Sequence, residues 1–155
     1  MKSPINLKLT QQGYQQLLDE QKELAEARPG VLKRMVDARE QGDLSENAGY
    51  HAAKERLGYI DSRLRQLRLM IRFAEVVQNT ASIAVSFGNT VVVESGGAKH
   101  EFTIVSDLEA DPQKGKMSDK SPIGQALLGK VAGDTVKIEV PDGVSVLKVV
   151  AIKGT

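Results

Sequence analysis

The stretch Gly42-Asp43-Leu44-Ser45-Glu46-Asn47-Ala48-Gly49-Tyr50-His51-Ala52-Ala53-Lys54-Glu55 lies between two long helical patterns and reads as the turn of a helical hairpin. From its end, the apolar positions Tyr50, Ala53, Leu57, Ile60, Leu64, Leu67, Ile71 and Ala74 follow at spacings of 3, 4, 3, 4, 3, 4 and 3. That is an unbroken heptad seam, which needs a partner helix to bury it. The partner precedes it. Leu17, Leu24, Val31 and Ala38 recur every seven residues, beside a half-polar series of Tyr14, Gln21, Arg28 and Met35. Only the residues around Gln41 to Leu44 connect the two patterns, and so short a link allows only an antiparallel hairpin. Residues 10–77 therefore read as helix. Pro29-Gly30 is expected to kink or interrupt the first arm, because proline removes a backbone donor and clashes with the preceding turn. The second arm, at about 33 residues, would be roughly 50 Å long.

The turn presents two carboxylates, Asp43 and Glu46, three residues apart. Ser45 is the expected N-cap of the second helix, with Glu46 in its first turn, where the helix dipole favours negative charge. Two readings of the acids stand. Either they cap a helix, or they are carried on a thin projection into another protein's pocket. A hairpin tip has no cleft of its own, which argues against a free-standing hydrolase.

Beyond residue 78 the periodicity changes. Ile83–Phe87, Thr90–Glu94, His100–Val105, Thr135–Val140 and Ser145–Ile152 read as strands, with Gly96-Gly97 and Asp142-Gly143 as hairpin turns. Ser121 to Gly129 reads as a short helix with Pro122 at its first position and Gly129 closing it. Two domains follow: an antiparallel coiled-coil hairpin with an acidic tip over 1–78, and an α+β domain over 79–155.

Composition narrows the classes further. With 21 basic and 20 acidic residues, bulk charge does not draw the chain to DNA or membranes. All eight arginines lie before residue 78, so what basic character there is belongs to the hairpin. Cysteine is absent, which excludes disulfides and zinc–thiolate sites. The N-terminus has no apolar signal core and no run approaches a membrane span, so a cytoplasmic protein without membrane contact is expected.

Two motifs match one family. Ala38-Arg39-Glu40-Gln41-Gly42-Asp43-Leu44-Ser45-Glu46-Asn47-Ala48, followed by Tyr50-His51-Ala52-Ala53-Lys54, resembles the hairpin-tip signature of the bacterial Gre transcript cleavage factors, GreA more than GreB. Ser121-Pro122-Ile123-Gly124, with Leu127-Leu128-Gly129-Lys130 and Gly133-Asp134, resembles the signature of their C-terminal domain. The likeness covers nearly the whole chain, with the motifs in the family's order. It implies a C-terminal domain similar to the FK506-binding-protein fold, docked on the rim of RNA polymerase. It also implies a monomer whose coiled coil enters the polymerase secondary channel, where backtracked RNA extrudes its 3′ end. Hydrolysis then takes place in the polymerase active centre, and the chain is an accessory factor rather than an enzyme.

Such hydrolysis uses two metal ions, one to activate the attacking water and one to steady the leaving oxygen. Mg²⁺ is satisfied with one or two carboxylates from any one partner. On this resemblance Asp43 coordinates a Mg²⁺ held jointly with polymerase, and Glu46 coordinates it or positions the water. Arg39 and Asn47 flank the tip in support. Lys54 and Arg56 lie near the family's basic patch and are the candidates for phosphate contacts to RNA, while the distal Arg65, Arg68 and Arg72 read as a solvated face. Asp119, Lys120, Ser121, Pro122 and Ile123 match the polymerase-docking loop. Their other reading is a plain helix start, and both can hold.

One departure stands out. The family usually has glutamate where this chain has Gly49, so cleavage is expected to persist in weakened form. A Gre-like protein that occupies the channel without stimulating cleavage is the main rival. A prolyl isomerase is the other, and only Phe87 and Phe102 are available beyond residue 78 to line its aromatic pocket.

Overall fold

In the computed structural model the described residues are 7–42, 44–78 and 83–154. Along the chain they form β1 (Leu7–Leu9), α1 (Gln11–Arg39), a 3₁₀ turn (Leu44–Glu46), α2 (Ala48–Phe73) and β2 (Ala74–Val76). Then come β3 (Thr90–Ser95), β4 (Ala98–Val105), a 3₁₀ turn (Pro112–Lys114), β5 (Lys116–Ser118), α3 (Pro122–Leu127), β6 (Thr135–Val140) and β7 (Gly143–Lys153). This is the expected helical hairpin followed by an α+β unit.

Two compact units emerge: a helical one over 14–74, and a globular one that joins Leu7–Gly13 to residues from Glu75 onward. The sequence reading places Leu7–Gly13 in the hairpin segment, whereas by contacts these seven residues group with the globular unit. The reason is strand pairing: β1 and β2 form a two-stranded sheet, continued by Val77 N–H donating to Leu9 O at 2.9 Å. That pairing also ends the second helix. The heptad pattern extends helix to residue 77, but α2 stops at Phe73, and 74–76 become a strand. The arm is thus 26 residues, roughly 39 Å at 1.5 Å per residue.

In the helical unit, Leu17, Leu24 and Val31 of α1 and Ala53, Ile60 and Leu67 of α2 are buried, with Ile60 and Leu67 wholly so. Every second seam position is therefore closed, each aliphatic contributing on the order of 2 kcal/mol. Three cross-links fix the antiparallel sense, joining residues 38 to 47, 28 to 61 and 20 to 63. The expected break at Pro29 does not occur, and α1 runs uninterrupted through it. Pro29 and Gly30 are exposed, while the buried Val31 and the Arg28–Asp61 pair on either side hold the helical path.

The globular unit carries a five-stranded sheet in the order β5-β4-β3-β7-β6, in which only β4–β5 is parallel. One face is closed by α3: Val91, Val93, Ile104, Leu127, Val136, Ile138, Leu147 and Val149 form the core, with Ile123 packed against it. The Gly96-Gly97 turn between β3 and β4 is confirmed, both glycines having positive φ (59° and 82°). The expected strand over Ile83–Phe87 is absent. Ala84 makes an isolated bridge to Val131, and the chain then turns, because the Asn89 side chain accepts from Ser86 N–H at 2.9 Å. A local side-chain hydrogen bond here outcompetes the ladder.

Candidate functional site

The hairpin end is built by Asn47. Its side-chain oxygen accepts from Tyr50 N–H at 2.9 Å, which makes Asn47 the N-cap of α2. Its amide nitrogen donates to Ala38 O at 2.7 Å, near the end of α1. One side chain thereby closes the helix and bridges the two arms. Ser45, the expected cap, lies instead in the 3₁₀ turn, and so does Glu46, which precedes α2 rather than occupying its first turn. Asn and Ser are equally good caps, so the residue types alone do not choose between them. The second bond, to Ala38, decides the matter, and only the hairpin supplies it.

Glu46 is exposed, and its carboxylate forms no ion pair with any described residue. Asp43 lies outside the described residues. Arg39 is the last residue of α1 and is exposed, a basic group where the helix dipole favours one. Lys54 is exposed on α2, and the Arg56 guanidinium lies over the Tyr59 ring, 5.1 Å from its centroid. Gly49 sits in the first turn of α2, where an added Cβ would meet only Asn47 Oδ1, at 3.5 Å. A side chain therefore fits there.

Arg63 and Arg28, further down the arms, do structural work. Arg63 forks onto Glu20 through Nε at 2.6 Å and Nη2 at 3.0 Å, which raises the arginine pKa. Arg28 forks onto Asp61 at 2.6 and 3.2 Å. Its hydrogen bonds hold the Asp61 carboxyl below the ordinary carboxylate value, and Arg28 in turn is raised. These fork-to-carboxylate pairs are directional and so help set the register between arms.

In the globular unit, 119–123 form a shaped loop. Ser121 caps α3 by accepting from Gly124 N–H at 3.0 Å, and its hydroxyl donates to Ser118 O at 2.7 Å. Pro122 follows at the first helical position, exposed, while Ile123 turns toward the core. The Asp119 backbone is tied on both sides, donating to Val105 O at 2.8 Å and accepting from Gln125 Nε2 at 2.8 Å. Lys120 is exposed and pairs with Asp107 Oδ2 at 3.6 Å, and the Ser118 hydroxyl bonds the other Asp107 oxygen. Gly124 is buried so close to Ser118 O that a Cβ there would collide with it. Asp107, Ser118 and Gly124 shape this loop, and of the three only Gly124 falls within a sequence motif. Their partners are assembled by the β4–β5 pairing. The helix-start reading of Ser121-Pro122 thus holds, and it leaves Lys120 and Pro122 exposed.

Comparison with known proteins bears on both units. Residues 7–76 match the family described as transcription elongation factor, N-terminal, and residues 80–154 match transcription elongation factor, GreA/GreB, C-term. Among similar proteins, a transcription elongation factor GreA from Trichlorobacter lovleyi is 41% identical over 153 residues, covering 96% of this chain and 97% of that protein. One from Paracoccus denitrificans is 37% identical over 149 residues, covering 94% and 96%. Among solved structures, the GreA factor homolog 1 (Gfh1) protein of Thermus thermophilus is 29% identical, with a TM-score of 0.45 over 97% of this chain and 100% of that one.

Proposed function

Because this chain belongs to the GreA/GreB family of transcription elongation factors, we propose that it acts by placing its hairpin tip in the secondary channel of RNA polymerase. There it stimulates the polymerase's own cleavage of backtracked RNA. The observation that carries this reading is the hairpin end: an exposed Glu46, without an ion pair among the described residues, on a turn that Asn47 fixes to both arms.

A carboxylate so placed is a hard oxygen donor, which fits Mg²⁺, and Asp43 would supply a second. When bound, such an ion activates water and steadies the leaving oxygen of a phosphodiester. The chain's own residues do the remaining work. Asn47 sets the direction in which the turn projects, and Arg39, Lys54 and Arg56 offer positive charge to RNA phosphates. The 119–123 loop, with Lys120 and Pro122 exposed, docks the globular unit on the polymerase rim. Catalysis on this reading belongs to polymerase, with the chain acting as a monomeric accessory factor.

The test is RNA cleavage in a stalled, backtracked elongation complex with Mg²⁺, comparing the chain with its Asp43→Ala/Glu46→Ala variant. Release of a 3′ fragment that the double substitution abolishes is expected. Binding to polymerase that slows nucleotide addition, with no fragment released by the unsubstituted chain, would instead establish a channel-occupying regulator.

A further inference from the structure

The helix that leads to the tip starts in an unusual way. Thr10 precedes α1 and is 7% exposed, and its hydroxyl oxygen accepts from Gly13 N–H at 3.0 Å, an ordinary N-cap. The same hydroxyl donates to Oε1 of Glu109, and Thr10 N–H donates to Oε2 of that carboxylate at 3.0 Å. Both Glu109 oxygens are thus committed to one residue 99 positions away in sequence. The first turn of α1 contains no acidic residue, so Glu109, in the same compact unit as Thr10, supplies the negative charge that a helix start favours.

Gly13 completes the arrangement. It is buried, and a Cβ there would overlap the Glu109 carboxyl group. Glycine here leaves room for the carboxylate, which any Cβ would displace, and serves no special backbone conformation, since Gly13 is not among the residues with positive φ. Glu109 is itself held by a turn at the end of β4, its N–H donating to Ser106 O at 3.0 Å. Leu7–Gly13 and Glu109 belong to the same compact unit, and α1 continues from this anchored turn as one helix to Arg39.

We propose that Glu109 is a positioning residue, a latch that fixes the root of α1 so that the tip is presented productively during transcript cleavage. The inference rests on the function proposed above. It assigns to Thr10, Gly13 and Glu109 a part in the rate of cleavage at saturating factor, separate from docking. A group that acts only through orientation can cost a large factor in rate without touching the reacting atoms.

The absence of cysteine allows a direct test. Glu26 and Glu94, both exposed and outside the latch and the candidate site, are changed to cysteine and spin-labelled in the full chain. Glu109→Ala should broaden the label-to-label distance distribution. It should also lower the saturating cleavage rate about tenfold, while the half-saturating concentration moves by less than about twofold. Glu109→Gln keeps an acceptor for Thr10 N–H and can donate to the Thr10 hydroxyl, so it should restore most of the rate. Gly13→Ala should reproduce the Glu109→Ala loss and add nothing to it in the double variant, because the clash needs the carboxylate.

An unchanged distance distribution in Glu109→Ala overturns the latch. A broadened distribution with an unchanged cleavage rate overturns its role in positioning the tip. A matched loss of melting temperature and of half-saturating affinity, unrelieved by glutamine, reduces Glu109 to a stabilising contact. If the unsubstituted chain releases no RNA fragment, the proposed function fails, and the distance distribution alone decides whether the latch exists.

Discussion

Asn47 shows how much a single residue at the tip controls. It satisfies a helix N–H and a carbonyl of the opposite arm, so Asn47→Ala removes two hydrogen bonds at once. The expected loss is about 2 kcal/mol, measured by urea unfolding, together with slower transcript cleavage as the turn loses its direction. Gly49 carries the opposite expectation. It lies in the first turn of α2 with room for a side chain, so Gly49→Ala should stabilise the chain by about 0.5 kcal/mol. Thermal unfolding checks this, and a fall in melting temperature would mean that the glycine backbone is needed as it stands.

At the level of elements, the hairpin depends on a buried stripe and two forked ion pairs. Asp61 is held below its ordinary value of 3.8 chiefly by the hydrogen bond from Arg28. A carboxyl depressed in the folded state binds its proton later than in the unfolded chain. Its stabilisation is therefore present above the unfolded value and is lost as pH falls through the folded one. The pair is partly exposed and solvent-screened, so the effect is small. Asp61→Asn should lower the urea midpoint at neutral pH. The difference from the unsubstituted chain should narrow as the pH is taken below about 4. A gap that is constant across that range would place the stabilisation in packing instead of charge. The same elements show where pattern fails. The heptad seam continues to Ala74, yet β1 is available to pair with 74–76, and strand pairing wins over the last helical turn.

For the whole molecule, the hairpin tip and the 119–123 loop lie in different units, which makes their contributions separable by experiment. Lys120→Ala/Pro122→Ala alters two exposed side chains. It should raise the half-saturating concentration of factor in the cleavage assay several-fold, on the order of 1 kcal/mol, with the saturating rate unchanged. Tip substitutions should do the reverse. A loop variant that changes only the saturating rate would remove docking from the 119–123 loop.

Much of this molecule was legible from residue order alone. The hairpin follows from the seven-residue repeat and the short link, because a seam that long has to be covered by the segment beside it. The α+β unit follows from the change to period two, and the family from two motifs in order. Local chemistry also marked Ser121-Pro122 as a helix start, since capping and a fixed φ act within a few residues. The remaining features depend on groups far apart in sequence. Asn47 rather than Ser45 caps α2 because Ala38 is there to accept its second bond. Pro29 stays helical because packing on either side outweighs its cost. The exception is Ile83–Phe87, which turns instead of extending because Asn89, only three residues along, captures Ser86. Glu109, silent in the sequence, holds Thr10, the cap of α1, across 99 residues. Periodicity reports which face of an element must be buried. Which polar group satisfies a particular backbone end is decided only when distant segments meet.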